Sequence, residues 1–114
     1  MHEVSIIQSV IDIVLKKSEE NKLKTINKIS LKIGDFSGVA KDSLMFAFQG
    51  ISKETVLENT ELVIERVKAT GECNQCNLIF EIEHFNKLCP KCNKFCSSIL
   101  TGHELYIDTI EGDK

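Results

Sequence analysis

An α+β fold is predicted by three features of this chain. Apolar residues recur first at three and four positions, then at every second position, then at helical spacing again before further alternating runs. Two Cys-x-x-Cys pairs, Cys73-Asn74-Gln75-Cys76 and Cys89-Pro90-Lys91-Cys92, lie between the last two of those runs. The order specifies two helices packed on a small three-stranded sheet, with a four-cysteine lobe inserted between neighbouring strands.

Each element has its own justification. From Glu3 to about Glu19, Val4, Ile7, Ile11 and Val14 form an apolar stripe that Val10 and Leu15 widen, the spacing of an amphipathic helix. Lys16 and Lys17 suit the negative end of that helix, and the polar stretch 19–24 reads as its exit turn. Ile29, Leu31 and Ile33 then alternate with Lys28, Ser30 and Lys32, a half-buried strand that stops at Gly34-Asp35. Leu44, Ala47, Phe48 and Ile51 predict a second helix over 41–51, with Asp42 in its first turn. Leu62 and Ile64 alternate with charges in a second strand over 61–68 that leads into the cysteines at Gly71. The run from Ile99 to Ile110 predicts a third strand, returning to pair with the first two.

Twelve residues separate the cysteine pairs. Two thiolates three positions apart reach one ion from a tight turn, and a second such turn completes a tetrahedral four-sulfur shell with no open position. Such a site holds structure and performs no chemistry; the lobe is too small to fold without it. Asn77 follows one pair and Asn93 the other, and asparagine is the common substitute for glycine where the chain turns left-handed after the second ligand. Zinc is the expected ion. Iron is the alternative, because Cys-Pro-x-Cys turns also occur in rubredoxins, but nothing else in the chain points to electron transfer. Cys96, the fifth thiol, reads as a small packing residue and weighs against an all-disulfide scheme.

At 114 residues, 42% apolar, the chain can bury one modest core. A net charge of −3 with interspersed signs lacks the basic stripe of a phosphate-binding protein, so nucleic acid is not an expected partner. No stretch approaches a membrane span of about 20 apolar residues and no basic, apolar leader opens the chain, so a soluble, cytoplasmic protein is expected. No nucleophile-base pair or phosphate-cradling glycine loop is visible, and no enzymatic activity is expected.

The first three residues offer a second metal site. Histidine at position 2 disfavours removal of Met1, leaving a free α-amine. That amine, the His2 amide and imidazole, and the Glu3 amide can form chelate rings around one ion. Nitrogen-rich, near-planar ligation suits Ni(II) or Cu(II) rather than Zn(II). Taken alone, this spacing also fits an ordinary solvated histidine.

Met1-His2-Glu3 opening a helix, the run Leu31-Lys32-Ile33-Gly34-Asp35-Phe36-Ser37-Gly38-Val39, Phe46-Ala47-Phe48, the two cysteine pairs, and Gly102-His103-Glu104-Leu105 before Ile110-Glu111 follow one another in fixed order. In this the chain resembles the HypA family of hydrogenase-maturation nickel chaperones over essentially its whole length. The resemblance implies that His2 ligates nickel, that Met1 and Glu3 contribute mainly through backbone groups, and that Cys73, Cys76, Cys89 and Cys92 hold structural zinc. It implies delivery to a HypB-type nickel GTPase and to the large subunit of a nickel-iron hydrogenase, with some members serving urease. Nickel would then belong to a domain formed by 1–70 and 98–114, and zinc to a lobe over 71–97, in a monomer or weak homodimer. Where family members often carry an acidic residue after the Ser-Gly turn this chain has Ala40, so carboxylate assistance would fall to Asp42 or Asp35. His84 and His103 read as surface or hydrogen-bonded histidines. The rival reading is a zinc-ribbon module that docks proteins without carrying nickel.

Overall fold

The computed structural model describes residues 3–114; Met1 and His2 lie outside the described residues. The elements run α1 (Glu3–Glu20), β1 (Thr25–Gly34), α2 (Lys41–Ser52), β2 (Glu61–Val67), β3 (Thr70–Cys73), β4 (Leu78–Glu81), β5 (Ser98–Thr101) and β6 (Leu105–Asp113). They make two three-stranded sheets, ordered β2-β1-β6 and β4-β3-β5. Two compact units result: one holds both helices with most of β1, β2 and β6, and the other comprises Ile33–Ser37 and Arg66–Leu105.

The first unit is built on periodicity. Ile7, Val10, Ile11 and Val14 bury one face of α1, and Leu44, Ala47 and Phe48 bury the matching face of α2. Val4 and Leu15, expected in the stripe, point outward at 59% and 40% exposure. Helix α1 stops in a left-handed cap. Lys22 takes φ 57°, the Leu23 N–H donates to Ser18 O at 2.9 Å and the Lys22 N–H to Glu19 O at 3.1 Å. Helix α2 starts at Ala40, which has extended cap geometry and no side chain to accept a hydrogen bond.

Ile29, Leu31 and Ile33 are at most 1% exposed. Burying each contributes about 2 kcal/mol against the entropy of ordering the chain, which makes β1 the natural centre of its sheet. The strand begins earlier than the alternation suggests. Ile26 is also buried but sits three residues before Ile29, out of phase with the later run. The buried Thr60 hydroxyl donates to Ile26 O at 2.6 Å, pinning the entry to β2. On the other side, Asp113 O accepts the Lys24 N–H at 2.7 Å, and its carboxylate accepts from Asn27 Nδ2 at 3.0 Å.

In the second unit, the expected single strand over 99–110 is divided. Gly102 at φ 128° separates β5 from β6; its N–H donates to Glu104 Oε1 at 2.8 Å and its oxygen accepts the Phe36 N–H at 2.7 Å. A Cβ on Gly34 would run into that same carbonyl, so two glycines are needed where the backbones meet. Asp35 ties the segment together, its carboxylate meeting Arg66 at 3.2 Å and accepting the Ala69 N–H at 3.3 Å.

Candidate metal centre

The antiparallel register of β3 and β4, Thr70 with Glu81 through Cys73 with Leu78, makes a hairpin whose turn is the first cysteine pair. A short bridge between Leu88 and Phe95 frames the second pair in the same way, with the Cys89 N–H donating to Lys94 O at 2.7 Å and the Asn93 N–H to Cys89 O at 2.8 Å. Asn77 and Asn93 take φ of 53° and 59°, the left-handed conformation expected after each pair. The Asn74 N–H is satisfied by Ser97 Oγ at 3.1 Å, and the Ser97 N–H by Glu72 O at 2.7 Å, lashing the first turn to the approach of β5.

These turns bring Cys73, Cys76, Cys89 and Cys92 together, all four sulfurs lying within 4.8 Å of one another. Cys73 and Cys92 are 3.6 Å apart. Zinc-sulfur bonds of about 2.3 Å place tetrahedral sulfurs about 3.8 Å apart, so the donor set fits a closed Zn(II) shell; a disulfide needs about 2.05 Å. The first cysteine of each pair is buried and the second half-exposed. Large apolar side chains are scarce here: within this unit only Ile33 and Ile82 are buried. A core that small needs a staple.

The thiols differ as acids. Desolvation, reinforced by hydrogen bonds among Cys92, Cys73 and Cys89, pushes Cys76 up to about 12. For Cys89 desolvation is the largest effect and raises the value, but backbone hydrogen bonds from Cys92 and Lys91 and the neighbouring Cys92 and Cys73 thiols together outweigh it and bring the thiol down to about 7. Cys89 is therefore readily ionised, whereas Cys76 gives up its proton only to a cation.

Cys96 stays outside the cluster and packs on β3; a Cβ placed on Gly71 would lie 3.1 Å from its Cβ and Sγ. His103 lies against the Phe36 ring, centroids 5.5 Å apart, and His84 sits in a turn at φ 53°. Neither joins a group of three or more metal-ligating side chains among the described residues. Of the two candidate carboxylates, Asp35 is engaged with Arg66 and Ala69, whereas Asp42 shares with Glu3 a groove of about 560 Å³ between α1 and α2, lined also by Val4, Phe46 and Ile51. The supporting residues that the sequence does not single out are Ser97 and Phe85, whose ring stacks on that of Phe36 with centroids 5.1 Å apart. Gly71, two residues before Cys73, marks in the sequence only the point where the second strand meets the cysteines.

No described helix is long and apolar enough to cross a membrane. A family model described as hydrogenase/urease nickel incorporation, metallochaperone, hypA, matches residues 1–112. The hydrogenase maturation factor HypA of Geobacter metallireducens is 37% identical over 111 residues, 97% of this chain and 98% of that protein. The corresponding factor of Chlorobaculum parvum is 39% identical over 110 residues, 96% and 97% of the two chains. The solution structure of the Ni metallochaperone HypA from Helicobacter pylori superimposes with a TM-score of 0.67 at 25% identity, covering 99% of this chain and 98% of that one. With the match running from the first residue to within two of the last, the chain belongs to the HypA family of nickel-incorporating metallochaperones, maturation factors rather than enzymes.

Proposed function

We propose that the chain captures Ni(II) at its amino terminus and delivers it for maturation of a nickel-iron hydrogenase, while Cys73, Cys76, Cys89 and Cys92 keep a Zn(II) ion in place. The observation that carries this reading is the closure of the sulfur cluster. Four thiolates saturate a tetrahedral ion, and no other group of three or more metal-ligating side chains occurs among the described residues. A family that incorporates nickel needs an exchangeable site, and the remaining nitrogen-rich set is the Met1 amine, the His2 amide and imidazole, and the Glu3 amide. Glu3 is the first residue of α1, so the ligand set sits at the amino-terminal edge of that element, where ligands could be exchanged one by one during transfer. Nickel then belongs to residues 1–70 and 98–114 and zinc to the lobe over 71–97. The receiving partners are a HypB-type nickel GTPase and the hydrogenase large subunit in the cytoplasm, with urease a further client.

Nickel and zinc per chain, measured separately by titration and metal analysis on tag-free protein, test this. Wild type takes up nickel in addition to its zinc. His2→Ala and a chain extended ahead of Met1 lose nickel and keep zinc. Undiminished nickel uptake by both variants removes the amino-terminal site.

A further inference from the structure

The two cysteine turns share a backbone plan and differ in charge. Around the first, Glu72, Glu81 and Glu83 outnumber a single lysine, Lys68, whose Nζ meets Glu83 at 3.1 Å and Glu81 at 3.5 Å. From His84 to His103 there is no Asp or Glu at all, and Lys87, Lys91 and Lys94 are exposed, in a chain whose net charge is −3. Both turns supply two sulfurs, so neutralising the charge of a zinc tetrathiolate gives no reason for gathering Lys87, Lys91 and Lys94 on one of them.

Apolar surface accompanies those lysines. Leu88 and Phe95 face each other across an antiparallel bridge, which sets the two side chains side by side. Phe95 is 76% exposed and Leu88 38%. Nearby in sequence Phe85, 69% exposed, is held by a turn closed by the Asn86 N–H on Glu83 O at 2.9 Å. His84 and Phe85 both take left-handed φ there, 53° and 61°, a pairing that asparagine and glycine would adopt more readily. Apolar side chains kept in water and flanked by one sign of charge have the make-up of a protein-binding face, an apolar centre with a charged rim.

We propose that the second cysteine turn is a docking face for an acidic surface of the hydrogenase large-subunit precursor, whose carboxylates meet Lys91 and Lys94 while an apolar side chain covers Leu88 and Phe95. The inference rests on the delivery reading above. A polyanion fits less well: three lysines beside a doubly negative zinc-thiolate centre are a poor phosphate surface. Lys87 is partly occupied already, its Nζ lying 5.5 Å over the Phe36 ring.

The test uses the full zinc-loaded chain without nickel, so a failure of the nickel site cannot hide or mimic the result. Binding to purified hydrogenase large-subunit precursor is measured by biolayer interferometry at low and raised salt for wild type, F95S and the double variant K91E/K94E. Both variants should keep wild-type zinc content and circular dichroism. F95S should weaken binding about tenfold or more, and K91E/K94E should do likewise while abolishing the salt dependence. Wild-type affinity in both variants overturns the proposal, and so does wild-type protein that fails to bind the precursor. Losses confined to binding of the GTPase, or of a single-stranded RNA probe, overturn it as well by assigning the face to another occupant.

Discussion

Cys76 and Cys89 start from similar chemistry and end as opposite acids, one at about 12 and the other at about 7. Zinc displaces whatever protons its thiol ligands carry. On the alkaline side of about 7 Cys89 is already a thiolate, and on the acidic side it must lose a proton as well. The dependence of log zinc affinity on pH should therefore steepen by roughly one proton as pH falls through neutrality, as read by competition with a chromogenic chelator. The sign is that of a depressed acid: what Cys89 contributes is present above its ordinary value and is lost as pH falls through about 7. Cys96 supplies the contrast. Its sulfur packs on Gly71 and not in the cluster, so Cys96→Ala should leave zinc stoichiometry at the wild-type value by metal analysis, whereas Cys89→Ser should abolish it.

Two helix ends carry avoidable costs. Lys22 occupies the left-handed position that glycine fills most easily, and it is exposed. Lys22→Gly should raise stability by about 0.5–1 kcal/mol in chemical denaturation, the relief of the side-chain clash being partly offset by greater freedom in the unfolded chain. Ala40 caps α2 with no acceptor, and Ala40→Asp should add about 1 kcal/mol by satisfying a first-turn N–H and complementing the helix dipole. The elements were legible where burial is periodic: the faces marked by Ile7, Val14, Leu44 and Phe48, and the alternation of Ile29, Leu31 and Ile33. They were illegible where a nonperiodic contact decides. Ile26 falls out of step with the rest of β1. A run of β-formers after Ile99 conceals the break at Gly102, which depends on Gly34, far away in the chain. The sulfur cluster was readable because ligand spacing is local within each turn, whereas Ser97, which steadies the first turn, lies in neither pair.

At the scale of the molecule, the two units draw on different sources of stability. The first buries Ile7, Val14, Ile29, Leu31, Leu44, Phe48 and Leu57 and contains both helices. The second has few large buried side chains and relies on its four sulfurs gathering around an ion. Chelating the zinc should abolish protection of the amides of β3, β4 and the second cysteine turn in hydrogen exchange, while the helical signal in far-ultraviolet circular dichroism largely persists. Loss of both together would show that the helical unit cannot stand without the metal. The clasp between Asp113 and the head of β1, made through Lys24 and Asn27, has a practical outcome for anyone handling the protein. An affinity handle is best appended after Lys114, since a cut that trims back past Asp113 would unfasten the strand whose hydrophobic residues anchor everything around it.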